Sequence, residues 1–86
     1  MKKNWDLTTV RGRGEFHKYV CFQIRKSKGV QKANDHDRKY KEITNAEGIE
    51  SATNFEIGIS MRYLNKSDVV IRGLGGEKYS LLIRNS

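Results

Sequence analysis

The sequence predicts a small α+β domain in which an N-terminal β-hairpin and a C-terminal three-stranded meander build an antiparallel sheet, joined by a short helix or polar loop at about 31–43. A small all-β barrel is the alternative. Apolar and polar residues alternate across residues 15–26, 54–63 and 78–84, the period of a half-buried strand. Glycine pairs in "RGRG" and "GG" stand where tight reversals fall. Proline is absent, so glycine and asparagine supply all the punctuation.

Taken in order, "LTTV" at 7–10 is a short β-prone run, and "RGRG" reverses it into a strand from Glu15 to Lys26. Phe16, Val20, Phe22 and Ile24 then face the core, with Lys18 the exception, while His17, Tyr19, Cys21, Gln23 and Arg25 face outward. Residues 30–52 are polar and lack strand period; Val30, Ala33, Asp37, Tyr40 and Ile43 or Thr44 fall on one weak helical stripe. In a single domain of residues 1–86, residues 1–4 and 30–52 are the expected mobile parts. From Asn54 to Tyr63, Phe55, Ile57, Ile59, Met61 and Tyr63 point inward and Glu56, Gly58, Ser60 and Arg62 outward. "LNKSD" turns into "VVIRGL", and a three-residue loop at Gly75, Gly76 and Glu77 leads to "KYSLLIRN". An odd loop keeps Val69 and Ile71 on the face of Tyr79, Leu81 and Ile83, and sets Arg84 opposite Asp68. The outer face then collects Arg25, Arg62, Arg72 and Arg84, beside Val70 and Leu82.

With 86 residues, the chain buries only about 60 to 65% of its unfolded surface, so its core is thin and a partner or a second copy is a plausible support. Hydrophobic residues make up 36% and charged residues 31%; because the apolar ones come in organised runs, the balance is that of a folded domain. The single cysteine, Cys21, leaves no internal disulfide and no cysteine-cage zinc site, and no segment resembles an export signal, which points to the cytoplasm. No apolar run approaches the roughly 20 residues that span a bilayer.

Charge is the most informative feature. Residues 1–32 carry a net +7, residues 33–53 a net −2 and residues 54–86 a net +2. Such asymmetry, with a pI near 9.8, is the electrostatic footprint of a polyanion binder. The expected function is therefore non-catalytic binding of nucleic acid, RNA or a single strand, through the basic hairpin. Arg11, Arg13, Lys18, Arg25, Lys26, Lys28 and Lys32 would contact phosphates, and Tyr19 would stack on a base, with Trp5 and Tyr40 as further aromatic candidates. A basic surface also serves solubility alone. The rival reading is a small inhibitor or accessory factor, of the kind encoded by mobile elements, that docks an acidic protein or a nucleic-acid-processing machine. A homodimer is compatible with either, and no membrane partner is expected.

The third class is a small ribonuclease using His17 and His36 with Arg25 or Arg38, since acid-base cleavage needs two groups converging on one phosphate. "W…GRGEFH" has the tryptophan, glycine turn and histidine order of small basic ribonuclease toxins, but those folds open with a helix before the sheet, so no site is carried over. In "NDHDR", adjacent Asp35, His36 and Asp37 cannot all point one way on a helix or a strand. No catalytic residue, metal site or cofactor is expected. Cys21 reads as a packing residue, and "VIRGLGG", followed by a strand, is no phosphate loop.

Overall fold

In the computed structural model, which describes residues 3–63 and 69–72, the chain between Val10 and Ser60 is three successive helices. Strand β1 (Lys3–Asp6) leads into α1 (Val10–Lys28), α2 (Val30–Glu47) and α3 (Ile49–Ser60), and strand β2 (Val69–Arg72) follows. The architecture is mainly helical, and the expected antiparallel sheet and the barrel alternative are both overturned. The two short strands pair with each other in parallel, Lys3 opposite Val69 and Asp6 opposite Arg72.

The first correction falls at the expected hairpin. Asp6 accepts hydrogen bonds from the Thr8 backbone (3.0 Å) and hydroxyl (2.5 Å), which closes a turn after β1. Thr9, in extended conformation, then caps α1 by accepting from the Gly12 N–H at 2.9 Å. "RGRG" is thus the first turn of a helix. Gly12 is required there: a Cβ would sit 1.9 Å from the Asp6 carbonyl oxygen, so the absent side chain lets α1 approach the end of β1.

Phe16, Val20 and Ile24 do reach the core, but through a spacing of four residues along a helix. Spacing of four satisfies both a two-residue and a 3.6-residue period, which is why the segment also reads as a strand. Phe22 separates the two. It lies about 200° around the helix from Val20 and is 53% exposed, against the expected burial.

The expected strand at 54–63 is likewise α3 and its exit. Its buried residues are Ala52, Thr53, Glu56, Ile57 and Ser60, the repeat of one helical face, made largely of small and polar side chains. Glu56 and Ser60, assigned to the outer face by strand parity, are fully buried. The segment read as a helix or loop at about 31–43 is α2, longer at both ends. The meander's turns at 64–68 and 75–77, its last strand, and the Arg84 to Asp68 pairing lie outside the described residues.

Single glycines join the helices. Gly29 (φ 97°, ψ 173°) and Gly48 (φ 102°, ψ 170°) occupy a backbone region essentially restricted to glycine. Each glycine N–H closes the preceding helix and each carbonyl opens the next, as in Gly29 N–H to Arg25 O (3.0 Å) and Ala33 N–H to Gly29 O (3.3 Å). The chain therefore folds back without a loop, and α2 packs against both α1 and α3. The core comprises Trp5, Leu7, Phe16, Val20, Ile24, Ala33 and Ile57. Among the described residues no helix is long and apolar enough to cross a membrane.

Candidate functional site

The face of α1 opposite its core stripe carries the charge. Arg11, Lys18 and Arg25 recur every seven residues, so they lie within about 20° of one line and span about 21 Å along the axis. A strand would have spread the same residues over twice that distance. Lys18, Arg25, Lys26, Lys28 and Lys32 are exposed and have no ion pair among the described residues, and Lys28 and Lys32 flank the Gly29 joint. Arg11 is exposed but pairs with Glu15 at 3.1 Å. Arg13 turns inward, its Nη1 donating to the Leu7 carbonyl at 2.9 Å, and so fastens α1 to the turn after β1.

The aromatic candidates exchange places with Phe22. Tyr19 is half-buried with its ring 5.1 Å from Trp5, Trp5 is in the core, and Tyr40 stacks on His17 at 4.2 Å. Phe22 instead stands in the middle of the cationic face, with Lys26 Nζ 5.5 Å from its ring centroid. An exposed ring among cations is the arrangement that sequence reading places at Tyr19.

On the inner side of the same helix lies a polar centre built by three helices. His17 and Cys21, one turn apart, come from α1; His36, Asp37 and Tyr40 come from α2; Glu56 comes from α3. Glu56 Oε2 accepts from His36 Nε2 at 2.9 Å and also from His17 Nδ1. His17 Nε2 faces Asp37 Oδ1 at 2.7 Å and Cys21 Sγ at 3.6 Å. The rings of Tyr40, His17, His36 and Phe55 form a column, with His17 and His36 5.6 Å apart and His36 and Phe55 5.5 Å apart.

Electrostatics explains how this centre holds a buried carboxylate. The Glu56 side chain is 1% exposed, and a carboxylate so buried costs several kcal/mol unless cations and donors surround it. Both His17 nitrogens face carboxylate oxygens, so both carry hydrogen and the ring is an imidazolium. Burial by itself lowers the His17 pKa, but hydrogen bonds with Cys21, Glu56 and Asp37 outweigh it and push the pKa up to about 10. The bonds from His17 and Lys41 hold the Asp37 carboxyl below its ordinary range. Burial raises the Tyr40 hydroxyl.

A cavity of about 350 Å³ between α1 and α2 joins the two features. Its lining joins His17, Cys21 and Asp37 of the polar centre to Lys18, Phe22 and Arg25 of the cationic face. His36 is absent from its wall, so the two histidines converge on Glu56 and only one of them meets the cavity. Of "NDHDR", His36 and Asp37 turn inward while Asp35 turns out to Gln31 and Arg38.

Sequence reading missed Glu56, Cys21 and Asp37 as members of one centre. The signal is helical spacing: 17 and 21, 36 and 40, and 56 within the buried repeat 52, 53, 56, 57, 60. Comparison with protein-family models, with curated proteins and with solved structures finds no match to this chain.

Proposed function

We propose that the protein binds single-stranded nucleic acid, without cleaving it, along the outer face of α1. The observation that carries this reading is Phe22, 53% exposed and flanked by Lys18, Arg25 and Lys26. An apolar ring gains nothing from water. A base stacked on it while cations meet the neighbouring phosphates gains both terms, about 1 to 3 kcal/mol from stacking alone. Bases in a duplex are already stacked on one another, which favours an unpaired strand. Arg11 joins the contact readily, because an exposed pair such as Arg11 with Glu15 contributes only about 0 to 1 kcal/mol and opens at little cost.

Fluorescence anisotropy of labelled single-stranded RNA, single-stranded DNA and duplex against increasing salt tests this. Neutralising about three phosphates of a single strand gives a log-log slope of about −2, or a roughly 20-fold loss between 50 and 200 mM salt. Lys18→Glu with Arg25→Glu should abolish binding across that salt range. Equal affinity for duplex and single strand, or binding insensitive to salt, contradicts the proposal. A stoichiometric acidic protein captured through the same face, with no oligonucleotide binding, would establish the rival reading.

A further inference from the structure

We propose that the polar centre is a binding site for a zinc-class transition-metal ion, with Cys21 Sγ, His17 Nε2 and a ring nitrogen of His36 as its clustered ligands and Asp37 Oδ1, which faces the same His17 nitrogen, drawn in as the fourth. The ligand atoms of His17, Cys21 and His36 all lie within 4.8 Å of one another. Tetrahedral zinc, with bonds of about 2.3 Å to sulfur and 2.0 to 2.1 Å to nitrogen, sets its sulfur and nitrogen ligands about 3.5 to 3.6 Å apart. Cys21 Sγ and His17 Nε2 are 3.6 Å apart, the separation that an ion between them requires. Asp37 Oδ1, 2.7 Å from the same nitrogen, has to retreat by about 0.6 to 0.7 Å. The edges from His36 to His17 and to Cys21 close by no more than about 1.5 Å, within reach of side-chain rotation.

The surroundings suit such an ion. Glu56 accepts from His17 Nδ1, which leaves Nε2 as the ligating atom and fixes the plane of the ring, the carboxylate and histidine pairing that commonly backs a metal ligand. Lys41 bonds Asp37 Oδ2 at 3.0 Å and leaves Oδ1 for the metal. One thiolate with two imidazoles and a carboxylate selects zinc over the hard cations magnesium and calcium. The cavity, walled by His17, Cys21 and Asp37, supplies the entry path. Binding displaces the His17 Nε2 and Cys21 thiol protons to solvent, and the ion ties α1 to α2 directly beneath the cationic face.

Cobalt(II) titrated into the full chain after chelator treatment tests the site, because Cys21 is the sole cysteine and any thiolate-to-cobalt charge-transfer band reports it alone. The expected result is that band with tetrahedral visible bands, saturating at one equivalent, bleached by zinc, and a thermal midpoint that rises with zinc concentration. Cys21→Ser, at a half-buried position, should keep the helical circular dichroism and lose the charge-transfer band; His17→Asn should weaken cobalt binding by at least tenfold. Folded wild-type protein that gives no charge-transfer band and no zinc-dependent midpoint overturns the proposal. So does a band unchanged in His17→Asn.

Discussion

Replacing Glu56 with glutamine separates a helical α3 from a strand at the same residues. Glu56 Oε2 accepts from both His17 Nδ1 and His36 Nε2, and its side chain is 1% exposed. A glutamine fills the same volume, but its oxygen is neutral and its amide nitrogen is a donor facing N–H groups. Hydrogen bonds to charged groups are worth about 1.5 to 3 kcal/mol each, and breaking a buried ion pair costs about 3 to 5 kcal/mol. His17 retains Asp37 as a partner, so the lower end applies, about 3 kcal/mol. For a chain of this size that is a large share of a total of about 4 to 13 kcal/mol and lowers the thermal midpoint by about 12 to 24 °C. Urea denaturation followed by far-ultraviolet circular dichroism, in chelator so that no metal contributes, reads the loss. Had Glu56 faced solvent, as strand parity demands, the change would stay within about 0.5 kcal/mol. A loss below about 1 kcal/mol in Glu56→Gln refutes the buried centre.

Two neighbouring glycines of α1 predict effects of opposite sign. Gly12→Ala drives a Cβ into the Asp6 carbonyl and should destabilise by about 1 to 3 kcal/mol or more, whereas Gly14→Ala, with nothing within 4 Å, should stabilise by about 0.5 to 1 kcal/mol through helix propensity; urea midpoints of the two variants measure both. Gly29→Ala forces a side chain onto φ 97° and should cost about 1 to 3 kcal/mol in the same assay, despite open space around the site. Phe16→Ala should cost about 3 to 5 kcal/mol and Phe22→Ala within about 0.5 kcal/mol, because the first ring is fully buried and the second faces outward.

The distribution of charge is legible in the sequence, and its placement is not. That the opening third carries the excess needs only counting, but whether Lys18 and Arg25 share a face depends on the period chosen. Two-residue alternation at Phe16, Val20, Phe22 and Ile24 competes with helical spacing at Phe16, Val20 and Ile24, and the breach at Lys18 is the clue in favour of the helix. In α3 the deception is stronger. Phe55, Ile57, Ile59, Met61 and Tyr63 alternate perfectly, yet the buried face is Ala52, Thr53, Glu56, Ile57 and Ser60. Hydropathy does not mark that face, because Glu56 is inside to meet His17 and His36 and the small residues are inside to let helices approach. Tertiary pairing thus overrides local pattern where the polar centre sits. Single-glycine joints hide the helix ends as well, since Gly29 and Gly48 replace the loops that normally announce them. His17 and Cys21, or His36 and Asp37, become a constellation only once those helices are drawn.

Whether the outer face of α1 stacks on and neutralises an unpaired strand is decided by the affinity of Phe22→Ala for a single-stranded oligonucleotide at two salt concentrations. The expected loss is about 5- to 150-fold, the equivalent of 1 to 3 kcal/mol of stacking, with the salt slope unchanged because Lys18, Arg25 and Lys26 remain. Undiminished affinity in a folded Phe22→Ala protein would contradict it.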